Sequence, residues 1–152
     1  MVYGWGNPIF GDDAVGIEVA KRIKREELPP GITVCWSSAS PFSVAHRLLD
    51  CKKAILIDAW FDGEKNTERI IDWDTDLDAT DVTVLTPHTA SIVDVLKIYR
   101  KVYEDRFPSS VHVYGLCIKD IRLEEGVHGD YEEQIARVVA LVLDEIRRNH
   151  GE

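Results

Sequence analysis

The sequence predicts an α/β fold, a three-layer α/β/α sandwich around a mostly parallel, doubly wound-like sheet. Three observations predict it. Segments of strand period and helix period alternate from end to end. The run Ala54 to Ile57 is apolar without a break, as a parallel strand covered on both faces must be. A glycine-rich turn, YGWGNPIFGDDAVG over residues 3–16, leaves the first strand and runs directly into a helix.

Each element follows from its pattern. Val2 to Gly4 is a short strand, and Val15, Val19, Ala20 and Ile23 form one stripe of a helix from about Asp13 to Glu27, which Pro29, Pro30 and Gly31 end. ITVCWS is a second strand, FSVAHRLLD a short helix burying Val44, Ala45, Leu48 and Leu49, and KAILIDAW a central strand. ERIIDWD can add a strand at one edge within the loop-like stretch of residues 61–81, and DVTVLTPH forms a strand or an extended loop. A helix from Thr89 to about Asp105 carries the stripe Ile92, Val95, Leu96, Tyr99, Val102 and Tyr103. The strand SVHVYGLCI follows, and a helix from about Tyr131 to Arg148 buries Ile135, Val138, Val139, Val142 and Ile146.

At 152 residues the chain has the length of one domain, 1–152, and its 45% hydrophobic and 30% charged residues fit a globular core rather than disorder. No apolar run is long enough to span a bilayer, and the start lacks the basic-then-apolar pattern of a signal peptide, so a cytoplasmic protein with no membrane insertion is expected. The net charge of -9 opposes nucleic-acid binding; the basic cluster at residues 21–25 runs into Glu26 and Glu27 and fits a solvated helix face. Cys35, Cys51 and Cys117 are odd in number and form no CxxC, which points to buried, reduced thiols.

Ligands of open α/β sheets bind beyond the carboxyl ends of the strands, where the strand order reverses. Three segments deliver polar side chains there: Asp12 and Asp13 after the first strand, Asp58 at the end of AILIDA, and His88 in LTPH before a helix. If the first and third strands are neighbours, Asp13 and Asp58 meet, and His88 can complete a set suited to a divalent transition metal. The helix N-terminus favours the ionised acids. Each residue also has a structural reading. Asp12 is expected to cap the helix; Asp58, ending an apolar strand, needs either a metal or a hydrogen-bond network; His88 can be a helix-start residue without a ligand. His46, His112, His128 and His150 have no spacing that ties them to an acid pair. No GxSxG elbow occurs, Cys117 has no basic neighbour upstream, and the glycines do not spell GxGxxG.

GWGNPIFGDDAVG, then ILIDA, then TPHTAS, in this order and spacing, resemble the nickel–iron hydrogenase maturation endopeptidases, with SSASPFSVAHRLL and VYGLCI extending the similarity over nearly the whole chain. The resemblance implies that Asp13, Asp58 and His88 are the catalytic, metal-contacting residues. It implies an endopeptidase that removes the C-terminal extension of a hydrogenase large-subunit precursor, with nickel supplied by that precursor as the recognition signal. The chain departs from the family pattern at Ala14, at Ser37 and Ser38 where glycines are frequent, in its short first strand, in the proline missing near Ile118, and in having Asp13 where some members have glutamate. Three other readings make separate predictions. A peptidyl-tRNA hydrolase shares an opening like GLGNP but needs a basic surface; a non-catalytic nickel-binding maturation factor would bind metal without cleaving; a general metallopeptidase would carry zinc. Trp60 and Phe61, after Asp58, are read either as an exposed grip on the precursor or as core residues.

Overall fold

The period-two stretches become five strands and the helical stripes four α-helices in the computed structural model, which describes residues 1–61, 68–72, 91–118 and 123–151. In chain order the strands are β1 (Val2–Trp5), β2 (Val34–Ser37), β3 (Lys53–Phe61), β4 (Glu68–Asp72) and β5 (Ser110–Ile118). The helices are α1 (Val15–Lys24), α2 (Pro41–Leu48), α3 (Ile92–Val102) and α4 (Glu132–His150). The sheet order is β2-β1-β3-β5-β4, parallel except for β4, which pairs antiparallel with β5 at the edge. This is the expected three-layer architecture, with ERIID supplying the edge strand. The segment DVTVLTPH lies outside the described residues.

Side chains alternate across the sheet and sort into two cores. On one face Val2, Ile55, Ile57, Tyr114, Leu116 and Ile118 pack under α1 and α4. On the other, Tyr3, Ala54, Leu56, Val111 and Val113 pack under α2 and α3. Ala54, Ile55, Leu56 and Ile57 are all buried, so the unbroken apolar run of β3 is covered on both faces as expected.

The helix boundaries have local causes. Ser40 caps α2 by accepting the Ser43 amide, with Pro41 at the first helical position, and Ser91 caps α3 by accepting the Asp94 amide. The first helix does not begin at Asp13. Gly11 takes φ 62, a left-handed conformation, and residues Gly11–Ala14 wind as a 3-10 turn before α1 starts at Val15. Gly4 and Gly16 have a different reason: α1 crosses the sheet so closely that a Cβ on Gly4 would sit 2.5 Å from the Gly16 carbonyl oxygen.

Candidate functional site

The strand order reverses between β1 and β3, whose pairing ends at Gly4 with Ile57. Asp58 is therefore the first β3 residue beyond the shared ladder. It does not end its strand, as the sequence suggested, because β3 continues to Phe61 paired with β5. Beside it the chain turns out of β1 through Asn7 and Pro8. The amide of Phe10 bonds to the Asn7 carbonyl (3.0 Å), and the Asn7 side chain accepts the Ile9 amide (3.2 Å), which folds the turn back over the sheet.

A cleft of about 250 Å³ opens at this switch point, lined by Trp5, Asn7, Phe10, Asp13, Ser38 and Asp58 among others. Asp13 and Asp58 both face it. The Asn7 amide donates to Asp13 Oδ2 at 2.8 Å, and the Ala59 amide donates to Asp58 Oδ1 at 2.7 Å. Burial pushes the Asp58 carboxyl well above the usual carboxylate range, and the negative charge of Asp13 adds to this, against the opposing Ala59 amide bond. Burial likewise raises Asp13, partly offset by Asn7. The described lining contains no cationic side chain. Two acids whose ionisation is opposed by burial therefore share one cleft.

Among the described residues no three His, Cys, Asp or Glu side chains gather into a metal site. Asp13 and Asp58 come together at the cleft; His88 lies outside the described residues. A larger cavity of about 430 Å³ opens at the opposite, amino ends of β3 and β5, beside Lys53 and Ser110. There Glu145 accepts the Tyr114 hydroxyl (2.5 Å) and pairs with His112 (2.6 Å), so His112 has a structural partner.

Asp12 is not an N-cap. It lies inside the 3-10 turn, and its carboxylate reaches across to the segment before α4. Oδ1 accepts the amides of His128 and Gly129, both at 2.9 Å, and Oδ2 accepts the Tyr131 hydroxyl at 3.0 Å. Burial alone would raise this carboxyl; the bonds from Gly129, His128 and Tyr131 outweigh it and hold Asp12 below the usual range. Trp60 is half-buried rather than exposed: it packs on the α2/α3 side of the sheet, so close over Gly115 that a Cβ there would strike its indole. The side chain of Phe61 lies outside the described residues.

Sequence reasoning missed the apolar rim. Ile9 and Phe10 are 58% and 41% exposed, and Phe10 lines the cleft. It also missed Asn7 as the residue that fixes Asp13, although the GNP turn signal was present. Ser37 and Ser38, at positions where the resemblance implies frequent glycines, both have structural places. The Ser37 hydroxyl bonds to Tyr3 (2.5 Å) and accepts the Ala39 amide (3.2 Å), and Ser38 lines the cleft. Cys35 and Cys51 are half-buried and Cys117 is buried, all three as free thiols.

Taken together, fold and cleft define a doubly wound α/β protein with an acidic cleft at its topological switch point. Comparison with known proteins narrows this class. The chain is 28% identical over 155 aligned positions, covering 97% of this chain and 96% of its relative, to a Methanocaldococcus jannaschii protein provisionally named a hydrogenase maturation protease. Its fold matches the hydrogenase maturating endopeptidase HybD of Escherichia coli with a TM-score of 0.74 at 21% identity, covering 97% and 91% of the two chains. It also matches the NiFe-hydrogenase maturation protease HycI of Thermococcus kodakarensis with a TM-score of 0.64 at 20% identity, covering 96% and 90%. No family model matches the chain. The resemblance read from the sequence is borne out: this chain has the fold of the hydrogenase maturation endopeptidases and is similar in sequence to a relative of that name along nearly its whole length.

Proposed function

We propose that this protein is an endopeptidase that removes the C-terminal extension of a NiFe-hydrogenase large-subunit precursor after nickel insertion. The observation that carries the reading is the cleft itself, in which Asp13 and Asp58 face one space with no described cation to balance them. Nickel held in the precursor is the natural counter-charge. It is part of the substrate, and Asp13, Asp58 and His88 are the residues that contact it. Two carboxylates and an imidazole suit such an ion, and their hydrogen bonds from Asn7 and Ala59 fix the acids before the substrate arrives.

Docking the metal-bearing precursor would bring the scissile peptide into the cleft, where the ion polarises a water or the carbonyl oxygen. Phe10 at the rim offers the apolar contact to the polypeptide, one of the two roles between which the sequence left Trp60 and Phe61. No helix of the described residues is long and apolar enough to cross a membrane.

The test is a mass-spectrometric processing assay on a large-subunit precursor prepared with and without nickel. Loss of a C-terminal peptide from the nickel-loaded form alone is the expected result. Nickel-dependent complex formation without cleavage would overturn the enzymatic reading in favour of a binding factor, and cleavage of both forms would overturn nickel recognition.

A further inference from the structure

The sequence places two acids side by side, and only one of them faces the cleft. Residues Gly11–Ala14 form a 3-10 turn, in which consecutive side chains point about 120° apart. Asp13 consequently faces Asp58 while Asp12 points away, towards the segment that precedes α4. Both Asp12 oxygens are occupied there, by the amides of His128 and Gly129 and by the Tyr131 hydroxyl. These donors lie 116 to 119 positions further along the chain. The cradle accepts no larger residue, since a Cβ on Gly129 would lie 2.3 Å from the Tyr131 ring and 2.9 Å from Asp12 Oδ2.

Two backbone contacts join the same pair of segments. The Gly126 amide donates to the Pro8 carbonyl at 2.9 Å, and Phe10 forms a parallel bridge with Glu124. The turn that carries Asp13 is thus attached at its start by Pro8 and Phe10 and at its middle by Asp12. Within it, the Asn7 amide holds Asp13 Oδ2.

We propose that Asp12 is a positioning residue: its carboxylate clamps the segment 126–131 onto the 3-10 turn and so keeps Asp13 on Asn7 and aimed into the cleft. This rests on the role proposed above for Asp13. The two acids divide the work, Asp13 serving the substrate and Asp12 holding the loop that presents it.

Two readouts separate the clamp from the activity. The first is hydrogen exchange at the Asn7 amide in the free protein, with the β3 amides as an internal standard of global stability. Asp12→Ala should speed Asn7 exchange by about tenfold or more while the β3 amides stay protected. The second is processing of the nickel-loaded precursor. Asp12→Ala should lower kcat about tenfold or more with KM little changed, since misplacement on the scale of an ångström costs up to about a hundredfold. Asp12→Asn, which keeps an oxygen for the two amides, should recover most of both. Tyr131→Phe removes a single hydroxyl and should move both readouts in the same direction, and it serves where Asp12→Ala does not fold. Wild-type exchange at Asn7 in Asp12→Ala would overturn the clamp. So would faster exchange with unchanged kcat. If the wild-type protein processes no precursor, the endopeptidase reading fails, while the Asn7 exchange still decides whether Asp12 holds the turn.

Discussion

Gly16→Ala tests how the fold sets the site. A Cβ at this position would lie 2.5 Å from the carbonyl oxygen of Ile57 and 2.6 Å from that of Trp5. Both are backbone atoms of central strands and cannot swing aside. Carbon–oxygen contacts become ordinary near about 3.3 Å, so the start of α1 must retreat from the sheet by roughly 0.8 Å. Overpacking of this kind costs about 1–3 kcal/mol, against which alanine gains up to about 1 kcal/mol over glycine in a helix. The net loss is therefore between about 0 and 3 kcal/mol, and for a chain of this size each kcal/mol lowers Tm by about 2–4 °C. The effect on the site should be larger. Asp13 lies three residues before Gly16 and moves with it, so kcat should fall by about ten- to a hundredfold. Urea unfolding gives the first quantity and the precursor-processing assay the second. Wild-type stability together with wild-type kcat would refute the close contact; lost stability with unchanged kcat would refute its coupling to Asp13.

Asp58→Asn should abolish processing and yet stabilise the protein at neutral pH. Folding raises the Asp58 pKa, so the wild-type chain gains stability as pH falls towards the ordinary carboxylate range and loses it as pH rises through the folded value. Urea midpoints of the two proteins should therefore converge in acid and diverge at neutrality; parallel curves would refute the burial argument. His88→Ala should abolish cleavage, and an unchanged rate would remove His88 from the site. Phe10→Ser should raise KM about three- to tenfold with little change in kcat, and being a substitution at a partly exposed rim position it should alter stability by no more than about 0.5 kcal/mol. An unchanged KM would show that the rim does not touch the substrate.

The sheet, its layers and the meeting of Asp13 with Asp58 were legible because each depends on a local pattern combined with one topological rule. The stripes Val15–Val19–Ile23 and Val138–Val142–Ile146 specify buried helix faces wherever they fall, and both do pack on the same core. Adjacent β1 and β3 then place Asp58 beside the first turn. What escaped depends on contacts remote in sequence. Nothing near Asp12 signals that its partners are His128, Gly129 and Tyr131, so a helix cap was the natural expectation. The half-burial of Trp60 depends on Gly115 in the neighbouring strand leaving room for its indole. The glycine-rich turn also hid two different needs: Gly4 and Gly16 sit where helix and strand backbones nearly touch, and within the turn only Gly11 takes a left-handed conformation.

The charge arrangement bears on why a maturation protease would wait for its metal. Asp13 and Asp58 face a common cleft without a described counter-ion, and burial opposes their ionisation. Such a pair can be neutralised by a proton or by a cation. A precursor without nickel would bring no charge to balance the acids, and closing the cleft over it would leave them either protonated or ionised at the full cost of burial. A precursor with nickel brings the balance along with the scissile peptide, and the same burial then strengthens the attraction. On the proposed function, discrimination would need no separate sensor: the cost of keeping two acids ionised in a small cleft would itself favour the metal-loaded substrate.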